Sequence, residues 1–320
     1  MKTIFLYHQQ QLFEPAFPEM VLALGYFDGV HLGHQSVIET AKQTAAEKGT
    51  AVGVMTFHPH PKTVLSSKFS EETMRYITPS SRKEELMYGL GVDYLFVVHF
   101  DKAFAALEPQ QFIDDYVIRF RAVHVVAGFD FSYGRLGKGT METMPFHARQ
   151  SFSQTTISQV AAPDGEKISS TLIRNYISNG DLFQVRGLLG RPYDLDGVVV
   201  TGEQRGRTIG FPTANVSVRD PYLLPATGVY AVRMLVDNQW KDGVCNIGYK
   251  PTFHDEQEGP PQIEVHVLDF EGDLYEKEVR VQFLKKIRGE KKFNSADELV
   301  IQIKADKEKA EKILSVKNSV

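Results

Sequence analysis

The first half of this 320-residue chain alternates short apolar runs with amphipathic segments, and this alternation limits the folds that it can adopt. EMVLALG (19–25) predicts a buried strand, GHQSVIETAKQTAAEKG (33–49) predicts a helix ended by Gly49, and TAVGVMTF (50–57) predicts the next strand. Two parallel strands joined by a helix form a βαβ unit. Because the alternation continues to about residue 129, we predict an α/β fold with a doubly wound parallel sheet covered by helices on both faces.

Polar, glycine-containing segments follow three of the predicted strands. FDGVHLGH (27–34), HPHP (58–61) and DFSYGRLGKG (130–139) each begin where an apolar run ends. The carboxyl ends of parallel strands meet at one edge of a sheet, and ligands bind outside that edge. We therefore expect the three segments to lie together and to form one site.

The second half has a different pattern, with strand-like runs separated by Gly, Pro, Asn and Asp turns. These runs are VVVTG, GVYAVRMLV, WKDGVCNIG, QIEVHVLDF and KEVRVQFLKKI. Closely spaced strands with such turns are typical of an antiparallel β-barrel or sandwich, and we predict the barrel. We place the domain boundary near residue 187, which gives an N-terminal domain over 1–186 and a C-terminal domain over 187–320.

Two predicted helices begin with capping boxes, Ser81 to Glu84 and Ser295 to Glu298. The second of these helices closes the chain and should pack on the barrel, because a mostly apolar stripe runs along it. The stripe consists of Leu299, Ile303, Asp306, Ala310 and Ile313.

Charge and cysteine content exclude several classes of function. The net charge is −4 and one cysteine, Cys245, is present, so an internal disulfide and a cysteine-based zinc site are ruled out. Cys245 lies in an apolar run and is expected to be a small buried residue, with a reactive thiol as the alternative. We expect neither nucleic acid nor a membrane as partner, and the short N-terminal apolar run suggests a cytoplasmic protein. Nothing in the sequence predicts an oligomeric state.

The segment FDGVHLGH places His31 and His34 at the start of a predicted helix. Helix N–H groups and the helix dipole favour an anion there, and imidazoles beside phosphate tend to stay protonated. A nucleotide-phosphate site is therefore the favoured interpretation. Two alternatives remain: metal chelation, for which His58 or His60 could supply a third ligand, and two unrelated surface histidines.

The longer motif GYFDGVHLGHQ (25–35) resembles the bacterial bifunctional riboflavin kinase/FAD synthetase family, within the HxGH nucleotidylyltransferase superfamily. The resemblance implies that His31 and His34 contact the ATP phosphates and stabilise the transition state at the α-phosphate. It also implies an ATP-binding loop, in which Asp28 organises the loop rather than acting as a base. The residues that this loop contributes are Gly25, Phe27, Asp28 and Gly33.

Further motifs of the same domain extend the resemblance. ISSTLIR (168–174) is similar to the second nucleotide motif, in which Ser170 and Thr171 hold phosphates and Arg174 adds positive charge; a simple helix cap is the alternative. TFHPHP and GFDFSYG resemble flavin-side segments. They would contribute Phe57, Asp130 and Tyr133, and the alternative for Tyr133 is a core aromatic. The chain departs from the family at His58, where the family usually carries an acidic residue.

The segment TGEQRGRTIGFPTANV (201–216) resembles the riboflavin kinase signature, although its composition alone also fits a surface loop. Gly202, Arg207 and Gly210 would surround the nucleotide phosphates. Thr213 and Asn215 would bind Mg²⁺, since both offer oxygen donors. By the same resemblance Glu264 is the general base, and Arg288 frames the flavin.

The resemblance implies a bifunctional enzyme with riboflavin, FMN and ATP as substrates. One domain phosphorylates riboflavin to FMN, and the other adenylylates FMN to FAD with release of pyrophosphate. Alternatives are an enzyme with one live domain or another phosphate acceptor, a non-catalytic flavin- or RNA-binding regulator, and a metal-dependent hydrolase.

Overall fold

The computed structural model describes residues 1–8, 17–163, 165–202, 206, 209–249 and 261–315. The chain forms two compact units, Met1–Ser170 and Thr171–Val320. The division between the units lies about 16 residues before the domain boundary that the sequence predicts at 187. The compact units need not coincide with the functional domains, so the boundary at 187 stays a prediction.

The first unit contains a six-stranded parallel sheet with the order β1-β4-β3-β2-β5-β8. The doubly wound α/β fold is thereby confirmed. A two-stranded ribbon, β6 with β7, lies apart from the sheet. The strands are β1 Lys2–Leu6, β2 Met20–Leu24, β3 Ala51–His58, β4 Tyr94–His99, β5 Ala122–Gly128, β6 Ser132–Tyr133, β7 Gly139–Thr140 and β8 Ser153–Ile157.

Helices cover both faces of this sheet. They are α1 Leu32–Lys48, α2 Pro61–Leu65, α3 Ser80–Gly89, α4 Lys102–Ala105, α5 Pro109–Ile113 and α6 Met144–Ala148. A π-helical turn over Asp114–Ile118 continues α5. Helix α1 ends as predicted, because Gly49 adopts φ 66° and its N–H bonds to the last turn of the helix.

The central strand β2 explains the continuous apolar run that predicts it. Met20, Leu22 and Leu24 belong to the core on one face of the sheet, and Val21 and Ala23 belong to the core on the other. A strand buried on both faces needs apolar residues at every position.

Some details of the first unit differ from the prediction. Helix α3 begins at Ser80 after Pro79 and has no side-chain cap, so the capping box from Ser81 to Glu84 is wrong. Glu84 accepts a hydrogen bond from the Thr3 hydroxyl instead. Strands β1 and β8 were not predicted as such; both lie at sheet edges, where a strand can carry polar residues and lose the pattern of a buried strand.

The second unit is a closed antiparallel barrel with the order β10-β13-β12-β11-β14-β9, as predicted. Its strands are β9 Tyr193–Val200, β10 Ala214–Val218, β11 Gly228–Val236, β12 Gln239–Gly248, β13 Gln262–Val267 and β14 Glu278–Arg288. Its helices are α7 Ser170–Asn179, whose first residue belongs to the first unit, α8 Leu182–Leu189 and α9 Ala296–Ser315. The strand β10 was not predicted, because GFPTANV reads as part of a glycine-containing loop.

The terminal helix α9 packs on the barrel as predicted, with Ala310 and Leu314 in a cluster that includes Ala231 and Leu268. The Ser295 half of the predicted capping box is confirmed by a hydrogen bond of 3.2 Å from the Glu298 N–H to the Ser295 hydroxyl, while the Glu298 carboxylate accepts the N–H of Asn294 at 3.1 Å. In the part of the chain that the structure describes, we find no helix with the length and apolarity needed to cross a membrane.

Candidate active sites

The strand order creates a crevice at the carboxyl end of β2. The chain proceeds from β2 to β3 and β4 on one side, whereas β5 and β8 lie on the other. Loops that follow β2 and β5 therefore diverge, and a ligand site is expected between them. The three polar segments that the sequence singled out are placed along this edge.

The loop after β2 has a strained backbone. Phe27, Gly29 and Val30 adopt φ values of 56°, 93° and 44°. Positive φ is rare for a β-branched residue such as Val30 and persists only where the surroundings enforce it. Such strain is concentrated at functional sites, which makes this loop the first candidate.

The carboxylate of Asp28 holds the loop in this conformation. Its Oδ1 accepts the backbone N–H groups of Ile77 at 3.0 Å and Thr78 at 3.1 Å. The Thr78 hydroxyl in turn accepts the N–H of Gly29 at 2.7 Å. Asp28 is buried, so its contacts are those of a loop organiser, as the sequence suggested. Its part in ATP binding stays a prediction.

His31 and His34 form a stacked pair at the start of α1. Their ring centroids are 3.5 Å apart, and the backbone N–H of His34 donates to the Nδ1 of His31 at 3.2 Å. Because Nδ1 of His31 accepts, the neutral ring carries its proton on Nε2. His31 is 6% exposed, so the interpretation as two unrelated surface histidines is wrong.

His34 is disposed to stay neutral while no anion is present. Burial lowers the pKa of His34 well below its usual value, and the positive charges of His31 and Lys83 lower it further. Its Nδ1 is buried and has no hydrogen-bond partner among the described residues. The ring therefore keeps hydrogen-bonding capacity for a ligand.

A cavity of about 520 Å³ opens beside this pair. It is lined by nine of the predicted residues: Gly25, Phe27, His31, Gly33, His34, Phe57, Asp130, Tyr133 and Ser170. The hydroxyl of Ser170 donates to the backbone carbonyl of Asp28 at 2.8 Å, which ties the second nucleotide motif to the first. Thr171 and Arg174 lie on α7 in the second compact unit, Thr171 exposed and Arg174 half-buried.

One wall of the cavity is aromatic. Tyr133 is buried, lines the cavity and shares a hydrogen bond of 2.8 Å with Nδ1 of His147, and burial raises the pKa of its hydroxyl to about 12. Tyr133 therefore belongs to the hydrophobic core and also lines the cavity. At the rim Asp130 pairs with Lys167 at 2.5 Å, and the Lys167 ammonium lies 4.6 Å from the Phe129 ring centroid.

Lys83 is a feature of this region that sequence reasoning missed. Its ammonium donates to the carbonyl of Tyr26 at 2.9 Å and to the hydroxyl of Thr56 at 3.2 Å. Within SSRKEEL it reads as one more charge on an exposed helix face, so no sequence signal could have found it.

In the barrel, the strand register brings together the side chains of the second candidate site. Asn215 pairs with Glu264, and Glu264 pairs with Asn246, so three polar side chains form a row across β10, β13 and β12. A cavity of about 690 Å³ lies over this row. The predicted residues that line it are Gly202, Thr213, Asn215, Glu264 and Arg288.

Gly202 permits the close packing of this site. A Cβ atom at position 202 would lie 2.0 Å from Nδ2 of Asn215, so a larger residue would displace that amide. Gly210 adopts φ 86°, which favours glycine, and does not line the cavity. Arg207 lies outside the described residues.

Arg288 joins the cavity to the terminal helix. Its Nε donates to Oδ2 of Asp306 at 2.9 Å, and Gln302 donates to the other oxygen of Asp306 at 2.9 Å. Asp306 is buried, so its place in an otherwise apolar stripe is explained by this ion pair. Cys245 lies in the barrel interior, where burial raises the pKa of its thiol; this favours a packing role over a reactive one.

Metal chelation by the histidine pair would need a third ligand. Among the residues that the structure describes, no three His, Cys, Asp or Glu side chains are grouped as a metal site requires. His58, the suggested third ligand, instead shares a hydrogen bond of 3.3 Å with the Ser80 hydroxyl.

Comparisons with known proteins cover both halves of the chain. A family model described as FAD synthetase matches residues 14–172, and one described as riboflavin kinase matches residues 189–314. Among solved structures, the crystal structure of a protein named Macrolide-efflux Protein from Streptococcus pneumoniae has a TM-score of 0.88 and 36% identity, and the match covers 97% of this chain and 98% of that one.

Curated relatives extend over nearly the whole chain. The Bifunctional riboflavin kinase/FMN adenylyltransferase of Bacillus subtilis (strain 168) is 48% identical over 97% of each chain. A protein with the same name from Listeria monocytogenes is 45% identical, over 96% of this chain and 96% of its own length. Another from Escherichia coli (strain K12) is 37% identical, over 89% of this chain and 90% of its own length. Because both domain families occur in order and the relatives match nearly end to end, the chain belongs to the bifunctional riboflavin kinase/FMN adenylyltransferase family.

Proposed function

We propose that the first unit transfers AMP from ATP to the phosphate of FMN, and that the barrel transfers the γ-phosphoryl group of ATP to riboflavin. The observation that carries the first assignment is the stacked histidine pair beside a cavity with an aromatic wall. This arrangement offers phosphate-binding groups at one end and a surface for a flavin ring at the other.

In adenylyl transfer a phosphate oxygen of FMN attacks the α-phosphorus of ATP, and the bond to the bridging oxygen of pyrophosphate breaks. No side-chain nucleophile is needed, so positioning and charge stabilisation supply the rate. His31 would donate from Nε2 to the phosphates. His34 would take up a proton as the polyanion binds, because the negative charge raises the pKa that burial lowers.

The flavin would occupy the aromatic end of the same cavity. Phe57 and Tyr133 supply apolar walls for an isoalloxazine ring. At the rim Lys167 would bind the phosphate of FMN, and the Asp130 carboxylate would accept a hydrogen bond from the polar edge of the ring.

In the kinase reaction Glu264 would take the proton from the ribityl 5′-hydroxyl as that oxygen attacks the γ-phosphorus and ADP leaves. Asn215 and Asn246 flank Glu264 in the strand register and would keep the carboxylate and the phosphates aligned. Gly202 would let the nucleotide approach the strand closely.

The donor chemistry of this cavity fits Mg²⁺. Thr213 and Asn215 offer neutral oxygen donors beside the carboxylate of Glu264, and Mg²⁺ prefers oxygen ligands shared with substrate phosphates. Thr213 and Asn215 would hold the ion, which when bound neutralises charge on the transferring phosphoryl group. Since both reactions consume ATP, we place the enzyme in the cytoplasm.

A product assay tests the two assignments together. The protein is incubated with riboflavin, ATP and magnesium, and flavins are separated by chromatography. His31→Ala or His34→Ala should accumulate FMN without FAD, whereas Glu264→Ala should make FAD only from supplied FMN. His124→Ala is a matched control, since this buried histidine bonds to Ser153 and Thr155 in the sheet. FAD formation by both histidine variants at the wild-type rate would overturn the first assignment.

A further inference from the structure

Lys83 is a buried lysine that the reaction as described does not use. It is 6% exposed on α3, and lysine is almost never buried so deeply unless its ammonium is compensated. A buried positive charge close to a proposed phosphate site must therefore be stabilised by specific contacts.

The contacts of Lys83 tie it to the loop that carries the histidines. Its ammonium donates to the carbonyl of Tyr26, the residue before the strained Phe27, and the Thr56 hydroxyl donates to the same carbonyl at 2.8 Å. The ammonium also lies 4.6 Å from the Tyr26 ring centroid. Tyr26 lines the cavity and Lys83 does not, so Lys83 lies one layer beneath the cavity wall.

The electrostatic surroundings leave Lys83 charged at neutral pH. Burial lowers its pKa to about 8, while the carboxylate of Asp28 raises it. Both hydrogen-bond acceptors are neutral oxygens. The titratable groups coupled to it are Tyr26, Asp28, His34 and His58, and its charge lowers the pKa of His34 and of His58.

We propose that Lys83 is a positioning residue for adenylyl transfer, whose buried ammonium fixes the loop of the histidine pair and adds positive charge beneath the phosphate subsite. The inference rests on the proposed role of His31 and His34. A charge in a region of low dielectric acts strongly on a bound triphosphate, even though it does not touch the reacting atoms.

The test compares Lys83→Met with Arg82→Met. Arg82 is a matched control, because it is buried on the same helix and pairs with Glu85. Lys83→Met should lower kcat for FAD formation from FMN by about 10- to 100-fold, as expected when a reacting geometry is misplaced. Riboflavin kinase activity of the same sample should be unchanged and reports that the barrel is folded, while a thermal unfolding transition at the wild-type temperature reports that the first unit is folded.

A second readout separates positioning by charge from mere packing. The pKa of the His34 ring, followed by NMR of labelled histidine, should rise in Lys83→Met and stay constant in Arg82→Met. An unchanged His34 pKa, or an equal loss of FAD formation in both variants, would overturn the inference. If His34→Ala itself retains FAD formation, the proposed function fails, and that result is distinct from failure of Lys83→Met alone.

A measurement on the wild-type protein covers the case in which Lys83→Met does not fold. The Lys83 side-chain resonance, assigned by its loss in Lys83→Arg, is titrated with and without α,β-methylene-ATP. A bound triphosphate should raise the pKa of Lys83. No shift at saturating nucleotide would contradict the proposal.

Discussion

The backbone N–H of His34 donates to the Nδ1 of His31, so the two histidines of one motif are not equivalent. His31 is fixed as an acceptor at Nδ1 and presents Nε2, whereas His34 keeps an unpartnered Nδ1 among the described residues. His31 is thus suited to a fixed hydrogen bond and His34 to a change of protonation.

Proton uptake should accompany nucleotide binding at the first site. The pKa of His34 is low in the unliganded chain, and phosphate charge raises it, so ATP binding near pH 7 should draw a proton from solvent. Calorimetry in buffers of different ionisation enthalpy measures this uptake. His34→Gln should reduce it, and equal uptake in both proteins would argue against a titrating His34.

The same lowered pKa predicts acid sensitivity of the first unit. The unfolded chain protonates His34 near pH 6.5, whereas the folded chain does so only at lower pH, so stability should fall as pH drops below about 6.5. Thermal unfolding between pH 5 and 8 checks this. The slope should be shallower in His34→Gln, and an identical slope would contradict the assignment.

Loss of the Asp28 carboxylate should release the strained loop. Asp28→Ala leaves the N–H groups of Ile77 and Thr78 without their acceptor, at a cost of about 1–3 kcal/mol for a buried unsatisfied group. FAD formation should fall about 100-fold while kinase activity persists. Asp28→Asn, which keeps an oxygen acceptor, is the milder control. Equal activity of Asp28→Ala and wild type would show that the loop holds its shape without these bonds.

A methyl group at position 202 should impair the kinase alone. In Gly202→Ala the new Cβ meets the Asn215 amide, so FMN formation should drop sharply while FAD formation from supplied FMN remains. Gly187→Ala on α8 is the control, since a Cβ there meets nothing within 4 Å. Steady-state rates of both reactions test this prediction. Wild-type kinase activity in Gly202→Ala would contradict a role of the Asn215 amide in the kinase site.

Breaking the Arg288–Asp306 pair should loosen the terminal helix. Asp306→Ala removes the partner of a largely buried guanidinium, which typically costs about 3–5 kcal/mol. Denaturant unfolding of the barrel unit measures the loss. The double variant Asp306→Leu with Arg288→Met should recover part of it, and a strictly additive loss would mean that the pair is not coupled.

Sequence patterns predicted the architecture because buried positions must be apolar, which gives each strand and helix a recognisable pattern. The run MVLAL in β2 is apolar throughout since both of its faces are buried, and Gly49 ends α1 where the helix must stop. The unpredicted strands β1, β8 and β10 have short or polar sequences, and edge position or a neighbouring loop hides their pattern.

The candidate sites were predictable only where a motif marks them. His31 and His34 stand out, but the roles of Lys83 and Asp306 depend on contacts with residues far along the chain. A charged side chain on a helix is usually solvated, so its burial cannot be read from one sequence. Strand register likewise brings Asn246 beside Glu264 although no local pattern links them.

Closure of the barrel has a consequence for the behaviour of partly unfolded protein. Each of its six described strands is paired on both sides, so these strands offer no open edge to another chain. The parallel sheet of the first unit, in contrast, ends in β1 and β8. Intermolecular β-pairing and aggregation on heating should therefore start from the adenylyl-transferring unit, while the kinase barrel resists them.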